Sequence, residues 1–519
     1  MTTFKIARVV KGSVATACVL AMLGSQPIAA QTAGQAAQGQ GLPLSMAQAV
    51  AMALDANLDL KAERLNVDVA SYGVALARSA FLPLVQGSTT RGSSKSVPGD
   101  FTQGSQDIIG KSANVSGSVR QALPWYGGDY SVSWFGSRGT QEGGISSFNP
   151  RLSSRLRFDF TQPLLRDFKR DGARVGLESA QRRTAITDLQ LQQRVFATEA
   201  TVKLAYLSLV AAIEGKKVAD QNLDIVTQSL SQSKSRVAVG QSPNIEIIQA
   251  EAQVASTREG VIRATAQIAS AEDNLRTLIL DPSRPDFWQV HLVPTDTIQL
   301  APRTVNLDEA IKTALANRLD LQMQNRNMEI TNLNLELNKN NAKPAVDVVA
   351  SYTAEGTAGT QFQFGQGFPP PILSQTSRSY GSALGDTFGG AYPTWSVGLA
   401  VTYPFGQTAA RAAYAQAQVQ KHQQEIGIKQ LEVVIVRQVR EAVRQVQNTF
   451  ERVQAAQTAR EASQQQLSAE ERRNSVGLST TLDLQIRQRD LALARTVELQ
   501  AMIDYNRALI QLDSVQKIQ

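Results

Sequence analysis

Two uninterrupted helical patterns constrain this chain more than anything else in it. From about Gly172 to Val239, and again from about 406 to 475, no proline or glycine cluster breaks a helix. At 1.5 Å per residue, about 67 residues make a rod about 100 Å long. Val202, Tyr206, Leu209 and Ile213 step along the first rod by four, three and four, and Leu223, Leu230 and Val237 recur every seven. In the second, Val439, Val443, Val446, Phe450 and Val453 form a coiled-coil seam. Such narrow stripes demand a partner helix.

Each rod stops at a reversal, and the two reversals are copies. Ser-Arg-Val-Ala-Val-Gly-Gln-Ser-Pro-Asn-Ile-Glu at 235–246 aligns without gaps on Arg-Arg-Asn-Ser-Val-Gly-Leu-Ser-Thr-Thr-Leu-Asp at 472–483. Arg236 falls on Arg473, Gly240 on Gly477, Ser242 on Ser479 and Ile245 on Leu482. Glycine just past a helix is a C-cap signal, and Ser242-Pro243 or the Ser-Thr-Thr at 479–481 can start the next helix. Both stretches are therefore expected to be tips of antiparallel helical hairpins, at 236–246 and 473–483.

The return helices, 243 to about 280 and about 480–514, are only about half as long as their partners. Helices at about 57–80 and 318–342 supply the missing length if they stack end to end on them. These segments are themselves duplicated at a constant offset of 261: Ala49 on Ala310, Leu54 on Leu315, Asp59 on Asp320, Leu60 on Leu321 and Pro83 on Pro344. A fixed offset over some forty residues marks an internal repeat.

After each proline the period changes to two. Leu156, Phe158 and Phe160 alternate with Arg155, Arg157 and Asp159; Trp395, Val397, Leu399 and Val401 alternate with Ser396, Gly398 and Ala400. This suits membrane strands facing lipid on one side and water on the other, or a half-buried sheet in a soluble domain. An extra hairpin is expected at about 113–137, in the barrel or capping it. Its counterpart, 354–393, reads as Gly/Pro/Ser-rich loop with Phe-Pro-Pro-Pro at 368–371.

Lys5, Arg8 and Lys11, the apolar run from Val14 to Leu23 and Pro-Ile-Ala-Ala at 27–30 read as a signal peptide over 1–30. The one cysteine, Cys18, lies within it, and removing its three cations takes the formal charge from +7 to +4. No predominantly apolar run of spanning length is expected beyond residue 30, so a membrane part must be a closed β-barrel. Export makes nucleic acid an unsuitable partner. The remaining organisation is a linker at 31–43, a first repeat at 44–280 with strands about 84–162, a connector at 281–304, a second repeat at 305–514 with strands about 345–403, and a tail at 515–519. His291 and His422 sit in unrelated contexts, with no metal-ligand spacing, nucleophile elbow or phosphate-cradling loop, so no catalytic residue, metal or cofactor is assigned. The fold class is mainly α with a transmembrane β part, built from long helical hairpins and alternating strands in two internal repeats.

The paired helices at Leu44–Leu60 and Val305–Leu321, Thr-Gln-Pro-Leu-Leu at 161–165 and the two Arg-x-x-x-Gly tips resemble the TolC family of outer-membrane efflux and secretion channels, over about 44–514. The resemblance implies a homotrimer in a Gram-negative bacterium whose strands contribute to one shared outer-membrane β-barrel and whose long hairpins form an α-barrel, a long periplasmic extension. Its tips would meet a periplasmic membrane-fusion adaptor and, directly or through it, an inner-membrane pump of RND, ABC or MFS type. It also implies that acids past the tip glycines, here Glu246 and Asp483, line the pore entrance, although helix-start acids favouring the macrodipole explain them equally well. Many members carry an aromatic residue three before the second glycine and a basic one two after it. Here those positions are Asn474 and Ser479, which leaves Arg236 and Arg473 to form other closing pairs, to face solvent or to meet the adaptor. The competing reading is a periplasmic coiled-coil adaptor or structural rod without a pore.

Overall fold

The computed structural model describes residues 41–99, 107–297, 300–367, 370–403, 405–406 and 408–517. The expected signal peptide lies outside them, as does the linker apart from residues 41–43. Strand β1 (Leu42–Leu44) leads into α1 (Met46–Ala56), which a capping box of Ser45 and Gln48 begins. Asn57 ends α1 and its side chain accepts the Leu60 amide to start α2 (Leu58–Ser79). Four strands follow: β2 (Leu84–Ser96), β3 (Ile108–Ala122), β4 (Asp129–Glu142) and β5 (Phe148–Pro163). The first rod is α3 (Gly172–Ala238), 67 residues long, and its return is α4 (Ile245–Ile279), 35 residues long.

The second half opens with β6 (Leu292–Pro294), then α5 (Leu307–Asn317) and α6 (Leu319–Asn341). Strands β7 (Ala345–Phe364) and β8 (Ile372–Arg378), a short helix α7 (Tyr380–Phe388) and β9 (Tyr392–Thr402) come next. Helix α8 (Thr408–Ser475) has 68 residues and α9 (Thr481–Lys517) has 37, so the expected tail is helix as far as Lys517.

Short helices complete the long ones as their lengths require. At the α4/α2 junction the Asn57 side-chain amide donates to the Leu278 carbonyl at 3.5 Å, and Lys61 lies 3.4 Å from Asp281. At the α9/α6 junction Arg318, the repeat equivalent of Asn57, donates to the Val515 carbonyl at 3.5 Å. Leu278 and Val515 are separated by the same 237 residues as the two tip glycines, so the junctions are copies.

Two cores sit beside these junctions. Val202, Tyr206 and Leu209 pack with Ala49, Ala53, Leu275 and Ile279; Val439, Val443 and Val446 pack with Ala310, Ala314, Tyr505 and Leu512. Contrary to the sequence reading, α3 contains a stretch long and apolar enough to cross a membrane by length and composition. The helix uses its apolar stripe here to bind α1 and α4. The connector is ordered by β6, which pairs in parallel with β1, and by Asp296, which accepts from the Met46 amide at 2.7 Å and the Tyr206 hydroxyl at 3.2 Å. The halves meet along α3, where Arg182 pairs with Glu329 at 3.1 Å and Arg507 donates to Ser208.

Among the described residues the larger sheet runs β2-β3-β4-β5-β7, with β9 beside residues 345–355 of β7 and β8 beside 359–364. Every pairing is antiparallel. The region 354–393 is thus not the expected loop, although Phe368 and Pro369 lie outside the described residues. Alternating Gln361-Phe362-Gln363-Phe364 extends β7, and β8 pairs with it. Helix α7 then crosses the sheet over the row Gly136–Ser154–Gly356, which is small enough to admit it. A Cβ on Gly356 would sit 2.0 Å from the Ala383 carbonyl oxygen, and one on Gly136 2.2 Å from the Tyr380 hydroxyl. The extra hairpin is β3–β4, and it is continuous with the sheet.

Candidate functional site: the paired hairpin tips and the two-faced sheet

The tips owe their shape to the same device. The Gly240 amide donates to the Val237 carbonyl and the Gln241 amide to that of Arg236; the Gly477 amide donates to Asn474 and Leu478 to Arg473. These are Schellman caps, and they require a left-handed residue, supplied by Gly240 at φ +73° and Gly477 at φ +78°. Arg236 and Arg473 lie in the last turns, where a cation favours the helix dipole.

The next helices start differently. Thr480 and Asp483 form a reciprocal cap on α9: the Asp483 amide donates to Thr480 Oγ1 at 3.2 Å, while the Thr480 amide and hydroxyl donate to the Asp483 carboxylate at 3.3 and 2.6 Å. The Thr480 donors hold the Asp483 carboxyl below the usual carboxylate range, with smaller help from Arg473 and Arg487. Helix α4 starts from Pro243, whose carbonyl accepts the Glu246 amide, and has no side-chain cap. Glu246 instead accepts the Thr481 hydroxyl of the other hairpin at 3.1 Å.

A second bridge ties the tips together. Arg236 donates to Asn474 Oδ1 at 2.6 Å, and Asn474, buried, donates back to the Ser479 carbonyl at 3.1 Å. Five candidate residues, Arg236, Glu246, Asn474, Ser479 and Asp483, are therefore drawn into two adjoining hydrogen-bond systems. Arg473 remains exposed, 3.6 Å from buried Glu470 on its own helix. Ser242 is half-buried and Pro243 exposed. Around the glycines Val239, Val476, Leu478, Ile245 and Leu482 are exposed, giving the tips a hydrophobic rim. Sequence reasoning placed Thr480 and Thr481 only at the start of the next helix and missed the link from Thr481 to Glu246 and the place of Glu470. The Thr-x-x-Asp spacing of 480–483 carried the cap, whereas nothing local linked Thr481 to Glu246.

The sheet forms the other candidate surface. Its register aligns Phe158 with Tyr352 and Trp395, and Phe160 with Ala350 and Val397, so Leu156, Leu399 and Val401 share that face too. Trp395, Val397, Leu399 and Val401 are 62–72% exposed. The opposite face carries Arg155 paired with Glu355 at 2.6 Å and Arg157 with Asp159 at 2.8 Å. Among the described residues no group of His, Cys, Asp and Glu is arranged to hold a metal ion.

The profile of the outer membrane efflux protein family matches residues 136–279 and 310–515. Curated proteins provide no match. Solved structures do: a membrane protein from Pseudomonas aeruginosa is 17% identical with a TM-score of 0.64, the alignment covering 91% of this chain and 92% of that one. The outer-membrane channel OprN is 18% identical with a TM-score of 0.65, covering 91% and 89%. The outer membrane protein VceC of Vibrio cholerae is 13% identical with a TM-score of 0.64, covering 91% and 95%. At these identities the likeness speaks for the fold.

Proposed function

We propose, for a chain that belongs to the outer membrane efflux protein family, a passive duct that carries cargo from an inner-membrane pump to the exterior as part of a tripartite efflux or type I secretion assembly. The protein is an outer-membrane channel with a long periplasmic extension. In this reading three copies close a shared barrel from their sheets, and their helices continue it as a tunnel. The observation that carries it is the sheet: at its end next to the long helices, along β5, β7 and β9, one face is apolar and exposed and the other holds ion pairs, while further along the first face carries α7 and the Lys111–Glu142 pair; among the described residues β2 pairs only with β3 and β9 only with β7. Lipid suits the first face and water the second. An open sheet edge is not tolerated in lipid, so sister copies must complete it. A coiled-coil rod or adaptor has no use for such a sheet.

The tips are the entrance. Arg236–Asn474 and Glu246–Thr481 hold the two hairpins of one copy together and keep the mouth narrow. Glu246 and Asp483, repeated by three copies, favour cations there. The hydrophobic rim of Val239, Val476 and Leu478 suits a periplasmic adaptor, which in turn engages a pump of RND, ABC or MFS type. Purified protein in planar bilayers is expected to conduct with cation preference, and Glu246→Ala with Asp483→Ala to move the reversal potential toward zero. Absence of conductance would refute the duct; an unchanged reversal potential would remove the acids from the entrance.

A further inference from the structure

The two halves contribute unequally to the sheet. The second supplies two strand positions, β7 and the position shared by β8 and β9; the first supplies four, β2 to β5. We propose that all six positions stand in the barrel wall, with the β2 edge of one copy pairing with the β9 edge of the next, so that three copies make a barrel of eighteen strands. This rests on the trimeric duct proposed above and adds its width.

Three observations point to it. First, β4 is not available as an edge: its whole length, Asp129–Glu142, is paired with β3, and β3 is paired with β2 from Ile108 to Arg120. A wall built from β4, β5, β7 and β9 alone would have to break that ladder. Second, five successive antiparallel pairings make β9 run opposite to β2, so the two edges meet as an antiparallel pair and the ring closes without a mismatch. Third, β2 is a 13-residue strand, exposed throughout and free of proline, and β9 is exposed over all 11 of its residues, with its one proline, Pro393, next to the end far from the long helices. Long exposed edges of this kind are templates for another strand. The occupant is a second copy of this chain, because it alone brings a matching antiparallel edge at every contact around the ring.

Cysteine pairs test the seam, since the only natural cysteine is Cys18. Ser88→Cys on β2 combined in turn with Thr394→Cys, Ser396→Cys or Gly398→Cys on β9 places both thiols on the charged face. At least one pair is expected to give disulfide-linked dimers and trimers on non-reducing gels. End-on electron microscopy of the intact protein is expected to resolve eighteen strands. Excising 108–142, which leaves β2 joined to β5, should give a ring of twelve strands and about two-thirds the diameter. The cross-links and the strand count of the intact protein are read independently of how that variant folds. A conducting trimer with a narrower wall, or one in which no β2–β9 pair cross-links, would overturn the inference and leave the duct standing. Monomers without conductance would overturn both.

Discussion

The two halves of this chain repeat the same helix packing and the same junctions, but they satisfy those junctions with different side chains and give unequal numbers of strands to the sheet. Asn57 and Arg318 occupy equivalent junctions and both donate to a carbonyl in the last turn of a neighbouring helix. Asn57 also caps its own helix, whereas Arg318 has no such role; it is 2% exposed, paired with Asp320 at 2.5 Å and bonded to Gln438 at 2.7 Å. At the tips the same glycine cap is followed by a proline start in one hairpin and a threonine–aspartate cap in the other. The geometry of the repeat is thus kept by different chemistry, and each half fails in its own way when perturbed.

The largest contrast is expected at the junctions. Arg318→Ala strands a partly buried carboxylate and is expected to cost about 3–5 kcal/mol, whereas Asn57→Ala loses a cap worth about 1 kcal/mol. Thermal unfolding of the detergent-solubilised protein measures both, and equal losses would break the comparison. Next comes the bridge between tips. Arg236→Ala and Asn474→Ala should each remove about 1.5–3 kcal/mol of contact between hairpins, the value for a hydrogen bond to a charged group, and raise the open dwell time of single channels. A double-mutant cycle with additive effects would show that the pair is not coupled.

Smaller and equal effects are expected at the two glycines. No atom lies within 4 Å of a Cβ added at Gly240 or Gly477, so Gly→Ala there costs only backbone strain, about 1–2 kcal/mol at either tip. A marked difference between them would mean that one tip is covered in the assembly. The subtlest contrast is in acid. Because the folded carboxyl of Asp483 titrates below its ordinary 3.8, its cap is intact above that value and is lost as pH falls through the depressed one. Amide exchange in the first turn of α9 should therefore accelerate only in that acid window, and Asp483→Asn should abolish the transition. Glu246→Gln should leave the exchange of that turn unchanged across the same range.

Legibility followed the range of the forces involved. Helix ends, tips and breaks are local: Gly240, Gly477, Asn57 and Pro83 act through their own dihedrals and nearest amides, and the observed boundaries lie close to those expected. The strand alternation of 155–162 and 395–403 is local too, and the register places its apolar residues on one face. The region 354–393 was misread because its glycines and serines are turn formers in isolation, whereas Gly356 stands inside β7 and, with Gly136 and Ser154 of neighbouring strands, makes the small surface on which α7 lies. The apolar stretch of α3 was likewise ambiguous, since a stripe that binds helices and one that enters lipid have similar composition.

Periodicity and duplication in the amino-acid sequence determined that this chain folds into two doubled-back rods, each joined to ribbon with opposed faces. Both are carried by spacings of two, three, four and seven residues, and such spacings need no distant neighbour. Only the tertiary structure decided that Arg236 meets Asn474, that Thr481 meets Glu246, and that β3 closes off β4 and leaves β2 as the sheet's edge. Those pairings join residues up to 238 positions apart, and their partners are selected by how whole elements pack, which no local pattern encodes.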